Sequence, residues 1–421
     1  MELSEAEYNR SSGEQIVLRF YDFFAGAGLV RLALNDAWKC VWANDIDARK
    51  ANIYRANFPN DFFVCKDIAH VDAAELPDGA DMAWASFPCQ DLSLAGWRHG
   101  LSGERSGTFW QFWRVMQERC ERGKRPPLIV IENVLGLLYG DSFAGLSEAI
   151  AALGMQFGAV VMDARPFLPQ SRQRVFVIAA DAGLKTERFC TAISNPVWSP
   201  PALTRAVANL PGALQNLWRW WRLPVPKEKI DPISIIVETK PKLVDWHTPK
   251  ETEYILSLMN ETHAKRINTV RQLKGRHVGF LYKRIRQGKQ RAEIRFDGVS
   301  GCLRTPQGGS SRQTVVIVED GEVRSRLLSP REAARLMGVP DTFILPDKYN
   351  DAYKAMGDGV AVPVVRWLSE HLLRPLAAFS RGKTSAVPDH SNLASSFRNS
   401  QRRAAEWSTM NGKPEDRRDL A

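Results

Sequence analysis

Between Gln15 and about Ala180, short apolar runs alternate with segments of helical spacing, and no other feature limits the fold as tightly. VLRFYDFF, KCVWAND, DMAWASF, LIVIENV and RVFVIAA read as buried strands. LVRLALNDA, ARKANIYRANF, TFWQFWRVMQERC and FAGLSEAIAAL read as the helices between them. Runs that are apolar at every position must be covered on both sides, so the pattern predicts an α/β fold whose doubly wound parallel sheet carries helices on both faces. The period fails after Asp181, where ISNPVWSPPALTRAV through WRWWRLPVPKEKIDP is rich in Pro and Trp, and a domain boundary is predicted near residue 182. Helical signals return in SPREAARLMG and VPVVRWLSEHLL. From about Ser380 onward the chain is polar and aperiodic, the composition of a disordered tail.

Charge is concentrated where the periodicity fails. The chain carries 57 Lys and Arg against 47 Asp and Glu, a net charge of +10, and Asp181 to Ser300 alone holds 21 basic against 11 acidic residues. Residues 265–295 interleave Lys and Arg with Phe280 and Tyr282, as expected of a surface that meets phosphates. A solvated basic face without a partner is the plainer alternative. No run approaches ~18 apolar residues, and the polar, acidic first 15 residues do not read as a secretory signal, so no membrane association is expected. The six cysteines, Cys40, Cys65, Cys89, Cys120, Cys190 and Cys302, show neither CxxC nor zinc-ligand spacing. They predict no disulfide framework and no metal site, as suits a reducing cytoplasm.

Residues with chemical potential gather at the predicted strand ends. The first strand ends in Asp22-Phe23-Phe24-Ala25-Gly26-Ala27-Gly28, followed by an amphipathic helix. Glycines here let the backbone approach a ligand at the carboxyl edge of the sheet, where open α/β sheets bind nucleotides. The spacing is not GxGxxG, which speaks against a dinucleotide, and GxG alone fits a tight turn equally well. The next strand ends in Asn44-Asp45-Ile46-Asp47, where an acid can hold ribose hydroxyls, and Lys66-Asp67-Ile68 closes a third, where a carboxylate can read an adenine amino group. Any one of these carboxylates fits a cap or turn. Together they describe a site for an adenosine without a pyrophosphate.

The fourth strand ends in Ser86-Phe87-Pro88-Cys89-Gln90. A lone cysteine is usually a small buried hydrophobe. Here Pro88 stiffens the turn and Cys89 falls at the edge where the ligand residues collect, so a thiolate there is a candidate nucleophile. The run from Pro127 to Val134 ends in Glu132-Asn133-Val134. A carboxyl at the end of a buried strand is costly unless paired or functional, and this one is placed to hold and donate a proton. Pro169-Gln170-Ser171-Arg172-Gln173-Arg174 precedes a further strand, whose alternation puts both arginines on one side. They read as an anion clamp, with a pair of ordinary surface ion pairs as the alternative.

In this order the residues resemble the DNA (cytosine-5) methyltransferases, of the bacterial and phage type associated with restriction-modification or defence. Phe24-Ala25-Gly26-Ala27-Gly28 is similar to the family's methyl-donor loop, Pro88-Cys89-Gln90 to its nucleophile turn, Glu132-Asn133-Val134 to its acid motif, and Gln170, Arg172 and Arg174 to its Q-x-R-x-R motif. Arg304-Thr305-Pro306-Gln307-Gly308-Gly309-Ser310 resembles the end of the family's inserted domain, and Ser329 to Gly338 the segment that closes it. Gly357-Asp358-Gly359-Val360-Ala361-Val362-Pro363 resembles the last motif. Nearly all of residues 17–375 is covered. Two positions depart: Asp358 stands where the last motif usually reads Asn, and Asp45 is shorter than the ribose-binding Glu of many members.

The resemblance implies a Rossmann-like methyltransferase domain dependent on S-adenosyl-L-methionine, formed by residues 15–182 and a returning segment, 326–380. It implies an inserted target-recognition domain at 183–325 and a tail at 381–421. The cofactor would be held by Phe24, Gly26, Ala27, Gly28, Asp45, Ile46, Asp67, Ile68 and Pro88. Cys89 and Glu132 would carry the chemistry, with Arg172 and Arg174 orienting a flipped nucleotide and its phosphate. The implied partner is double-stranded DNA, bound by a monomer in the bacterial cytoplasm, alone or alongside a cognate restriction nuclease or another defence system. A transfer-RNA cytosine-5 methyltransferase is a rival that the long basic insert disfavours. A non-enzymatic DNA-binding regulator of the same fold is disfavoured by the full set of catalytic residue types.

Overall fold

Seven strands form one sheet in the computed structural model, which describes residues 17–34, 37–59, 62–88, 107–227, 233–286, 288–304 and 312–382. They are β1 (Leu18–Phe23), β2 (Trp38–Asp45), β3 (Phe63–Cys65), β4 (Met82–Ala85), β5 (Leu128–Asn133), β6 (Met155–Asp163) and β7 (Gln173–Asp181), in the order β3-β2-β1-β4-β5-β7-β6. The continuous apolar runs have the cause expected of them: both faces are covered. Phe20, Met82, Trp84, Val130 and Ile178 face a core shared with helices Leu29–Leu34, Ala48–Asn57 and Val362–Leu368. Tyr21, Phe23, Ala83, Ile131 and Val177 face the opposite core, filled by helices Gly107–Glu121 and Ser142–Ala152.

Two expectations about this sheet need correction. The sheet is not wholly parallel: β7 runs antiparallel to both β5 and β6. The link from Asp163 to Gln173 is too short for the helical crossover that a parallel return requires. β6 itself is not among the expected strands, because Gln156 and Gly158 break its apolar run.

The predicted boundary near residue 182 marks a change in composition and not in packing. β8 (Cys190–Thr191) and β9 (Trp220–Trp221) pair with each other, and the residues between them lie on the large-sheet body. Trp218 meets Phe143 and Phe157 edge-on, with ring centroids 5.9 and 5.5 Å away. The Arg219 Nε donates to Gln156 Oε1 at 2.7 Å, and Trp221 and Leu223 are buried in the core under β1. Helix Arg374–Arg381 carries the body to an Arg381 that pairs with both Asp81 carboxylate oxygens at 2.6 Å. Residues from 383 onward lie outside the described residues.

A second, antiparallel sheet follows, formed by β10 (Arg276–Arg286), β11 (Lys289–Arg295), β12 (Thr314–Glu319) and β13 (Glu322–Leu327) in the order β11-β10-β12-β13. Its side chains alternate as a pleated strand requires. Leu281, Ile294, Val316 and Val318 pack with Ile255 and Ile267 of helices Pro249–Ser257 and Glu261–Arg271. Phe280, Val315 and Ile317 belong to the core of the large sheet. The insert is therefore a layer pressed onto the main body, not a bead on a linker. Among the described residues no helix is long and apolar enough to cross a membrane.

Candidate active site

The ends of β1, β2, β4 and β5 bring most of the sequence-predicted residues to one edge of the sheet. The loop after β1 is tightly shaped. Phe24 holds a left-handed backbone with φ of 58°, an uncommon state for a residue with a Cβ and one that clusters at ligand sites. Gly28, at φ 86°, leaves the space a Cβ would need to Phe58 and Tyr54, whose ring atoms stand 2.5 and 2.9 Å from that position.

Asp45 braces this loop: Oδ2 accepts from the Gly26 N–H and Oδ1 from the Asp47 N–H, each at 2.9 Å. A carboxylate has about four lone-pair sites, so these two bonds leave it further acceptor capacity. Asp67 accepts from the Ala69 N–H at 2.9 Å and caps the turn Ile68–His70, the plainer alternative to adenine recognition. The side chains of Ala27 and Ile68 are buried in the two cores, while Ile46 is 67% exposed and Pro88 is exposed at the same edge.

Asp22, directly before the loop, is fully buried with neither carboxylate oxygen hydrogen-bonded. Burial pushes its pKa up to about 8; Arg31 works against the shift and Asp45 adds to it. The strained loop braced by Asp45, with Ile46 and Pro88 exposed at the same edge, suits a ligand that has both polar and flat apolar parts.

Glu132, next to last in β5, is 7% exposed and pairs with Arg174, whose Nε lies 3.1 Å from its Oε1. This pair exists because β7 runs antiparallel beside β5, with Glu132 opposite Phe176. Asn133 fastens the neighbouring turn by donating from Nδ2 to the Phe87 carbonyl at 3.3 Å. Pro88 follows Phe87; Cys89 and Gln90 lie outside the described residues.

Arg172 and Arg174 come close together and both reach Cys302, but their other partners differ. The Arg172 guanidinium is buried and donates to the carbonyls of Leu303, Gly357 and Gly359 at 3.2, 3.1 and 2.6 Å. Burial and then Arg174 lower its pKa. These donors close the body around the last motif. Gln170 is similarly structural, with Nε2 on the Leu336 carbonyl at 2.6 Å and Oε1 accepting from the Leu303 N–H at 3.3 Å.

One residue is not singled out by the sequence pattern. Cys302 Sγ accepts from Arg172 Nη1 at 3.2 Å. Burial works against its thiolate, yet Arg172, Arg174 and Arg304 together hold its pKa below the usual thiol value. The only signal along the chain is Arg304 two residues on; the other two arginines arrive through the fold. Of the motif that begins at Arg304, residues 305–310 lie outside the described residues.

Comparison with known proteins follows the same lines. The chain is 29% identical over 359 residues to the Type II methyltransferase M.BsuFI of Bacillus subtilis, covering 83% of this chain and 71% of that protein. It is 27% identical over 363 residues to the Type II methyltransferase M.HhaI of Haemophilus parahaemolyticus, covering 84% and 94%. Among solved structures, the Entamoeba histolytica methyltransferase EhMeth matches with a TM-score of 0.58 at 15% identity, covering 86% of this chain and 99% of that one. The S. pombe Dnmt2 methyltransferase matches with 0.52 at 18% identity and the same coverage. These two likenesses show the fold. The family model for C-5 cytosine-specific DNA methylases matches residues 18–374, from the first strand to the start of the last helix, and the chain therefore belongs to that family.

Proposed function

We propose that the protein transfers a methyl group from S-adenosyl-L-methionine to C5 of cytosine in a specific double-stranded DNA sequence, through a covalent bond between Cys89 and C6 of a flipped-out base. The observation that carries this reading is the Glu132–Arg174 pair at the end of β5, tied through Asn133 to the turn that leads into Cys89. An acid near the end of β5, the strand beside β4, supports a role in protonating a base that Cys89 attacks.

The residues suit the chemistry. Cytosine C5 is a poor nucleophile until something adds at C6, and a soft thiolate from Cys89 is suited to that addition. Glu132 supplies the proton at N3 that makes C6 electrophilic, and Arg174 fixes the direction of its carboxyl. The bound donor supplies a methyl group activated by a positively charged sulfur. Phe24, Ile46 and Pro88 would shelter its flat apolar part while Asp45 and Asp67 take its hydroxyls and amino group. The C5 proton then passes to solvent, Cys89 departs as thiolate and N3 returns its proton to Glu132, which restores the ring. The target base lies hidden in a duplex, so it must leave the stack at a cost of a few kcal/mol. The second sheet, with its basic strands β10 and β11, is assigned to sequence reading. We read the enzyme as a cytoplasmic monomer serving a restriction or other defence system.

Methyl incorporation from labelled donor, compared on duplex DNA and transfer RNA, tests the reading. Duplex DNA should be the substrate, and DNA carrying 5-fluorocytosine should trap the protein covalently. Cys89→Ser should abolish transfer while leaving DNA binding nearly intact, and Glu132→Gln should slow single-turnover transfer by roughly 10²-fold. More than a few per cent of wild-type activity in the serine variant would overturn the assignment.

A further inference from the structure

The position where this chain departs from its family's last motif lies in an ion pair beside the glycine loop. Lys50 Nζ stands 2.8 Å from Asp358 Oδ2, with the two side chains 17% and 31% exposed. The Lys50 stem runs past Gly26, its Cδ 3.9 Å from where a Cβ on that glycine would be. Asp358 is set firmly, because Arg172 donates to the carbonyls on either side of it, at Gly357 and Gly359, and Gly359 rests against Leu29. A second cation, Lys354, lies 3.4 Å from both Asp358 and Asp47.

We propose that Lys50, held in place by Asp358, binds the carboxylate at the amino-acid end of the methyl donor. The inference rests on the reading that the donor is S-adenosyl-L-methionine. The strand order then assigns the parts of that molecule. The carboxylates at the ends of β2 and β3 suit its adenosine, and the Pro88 and Glu132 ends of β4 and β5 claim its reacting methyl. The sulfur joins these two parts, so its remaining substituent, the amino-acid chain, falls beside the loop after β1, between β2 and β4. Lys50 is a cation whose stem runs along that loop. An ammonium has three donors, so Lys50 can keep Asp358 and take a ligand carboxylate as well. Burial works against its charge, but Asp358, Asp45 and Asp47 outweigh it and keep the ammonium protonated. Lys354 leaves Asp358 compensated when Lys50 turns toward a ligand.

The alternative is that the pair only fastens helix Ala48–Asn57 to helix Tyr349–Asp358. Two ligands separate the readings: S-adenosylhomocysteine, which carries the amino-acid end, and 5′-methylthioadenosine, which lacks it. In calorimetric titrations of the full chain, Lys50→Met should weaken S-adenosylhomocysteine by about tenfold or more, as expected for loss of a charge-assisted hydrogen bond. The same variant should bind 5′-methylthioadenosine within about twofold of wild type. Lys50→Arg, which keeps the charge, should recover much of the difference. Equal losses for both ligands, or no loss for either, would overturn the proposal and leave the pair a fastening. A wild-type protein that binds neither ligand would instead overturn the cofactor reading itself. If Lys50→Met does not fold, Lys50→Gln removes the same charge, and its ratio of the two affinities decides between the readings in the same way.

Discussion

Glu332 is the residue whose loss should damage the architecture most per atom changed. Its carboxylate is fully buried and takes four donors: Arg326 Nη1 and Nη2 at 2.7 and 2.6 Å, and the backbone N–H groups of Ser329 and Glu238, each at 2.7 Å. Arg326 lies on β13 and Glu332 in helix Pro330–Leu336, so the pair joins the second sheet to the body. Glu332→Gln keeps the shape but replaces one acceptor oxygen with an amide that points donors at donors. Breaking a buried pair by neutralising one partner costs about 3–5 kcal/mol. Against a total stability of roughly 5–15 kcal/mol, that is a large fraction. Urea denaturation followed by circular dichroism should show this loss. Removing both charges, as in Arg326→Met with Glu332→Leu, should recover much of it, because no charge is then left unpaired; the Ser329 and Glu238 N–H groups still lose their acceptor, so recovery should fall short by about 1–3 kcal/mol. A loss below about 1 kcal/mol for Glu332→Gln would refute the idea that this pair holds the two sheets together.

Three further outcomes are expected. Asp22 has a folded-state pKa of about 8 against 3.8 for the free side chain, so the folded form keeps a proton that the unfolded form releases. Its contribution is present at low pH and lost as pH rises from about 4 toward 8; Asp22→Asn should therefore gain in melting temperature over wild type across that window, and a constant difference would refute the burial argument. Sequence specificity should move with the second sheet: exchanging residues 244–327 for the matching part of a relative with a known target should transfer that target, whereas an exchange that starts near 185 should unfold the chain by removing Trp218 and Trp221 from their cores. A folded, active chimera that still modifies the original site would place recognition in the catalytic half. Truncation after residue 385 should leave activity and melting temperature nearly unchanged, whereas a cut before Arg381 should destabilise the protein by stranding the buried Asp81.

Features that depend on a few consecutive residues can be read along the chain. Runs apolar at every position announce strands covered on both sides, and a strand end followed by closely spaced glycines announces a close backbone approach. The Pro88-Cys89 turn and the acid after an apolar run are equally local, and they are enough to point to the chemistry.

The tertiary structure decides what each of these residues holds. Arg172 and Arg174 stand two apart, yet Arg172 is claimed by carbonyls of Leu303, Gly357 and Gly359, 131 to 187 residues away in sequence. Arg174 meets Glu132 only because β7 returns antiparallel beside β5. Arg284, in the basic stretch that suggests phosphate contact, pairs with Glu293 across the β10–β11 ladder and stacks on Tyr282. The Trp-rich segment after residue 182 reads as a new domain because it has no period, but its indoles complete the cores of the old one. Strand formation is governed by neighbours in sequence. Burial and charge pairing are governed by whatever distant segment packs against a side chain, and that is set by strand order and direction, which no local pattern contains.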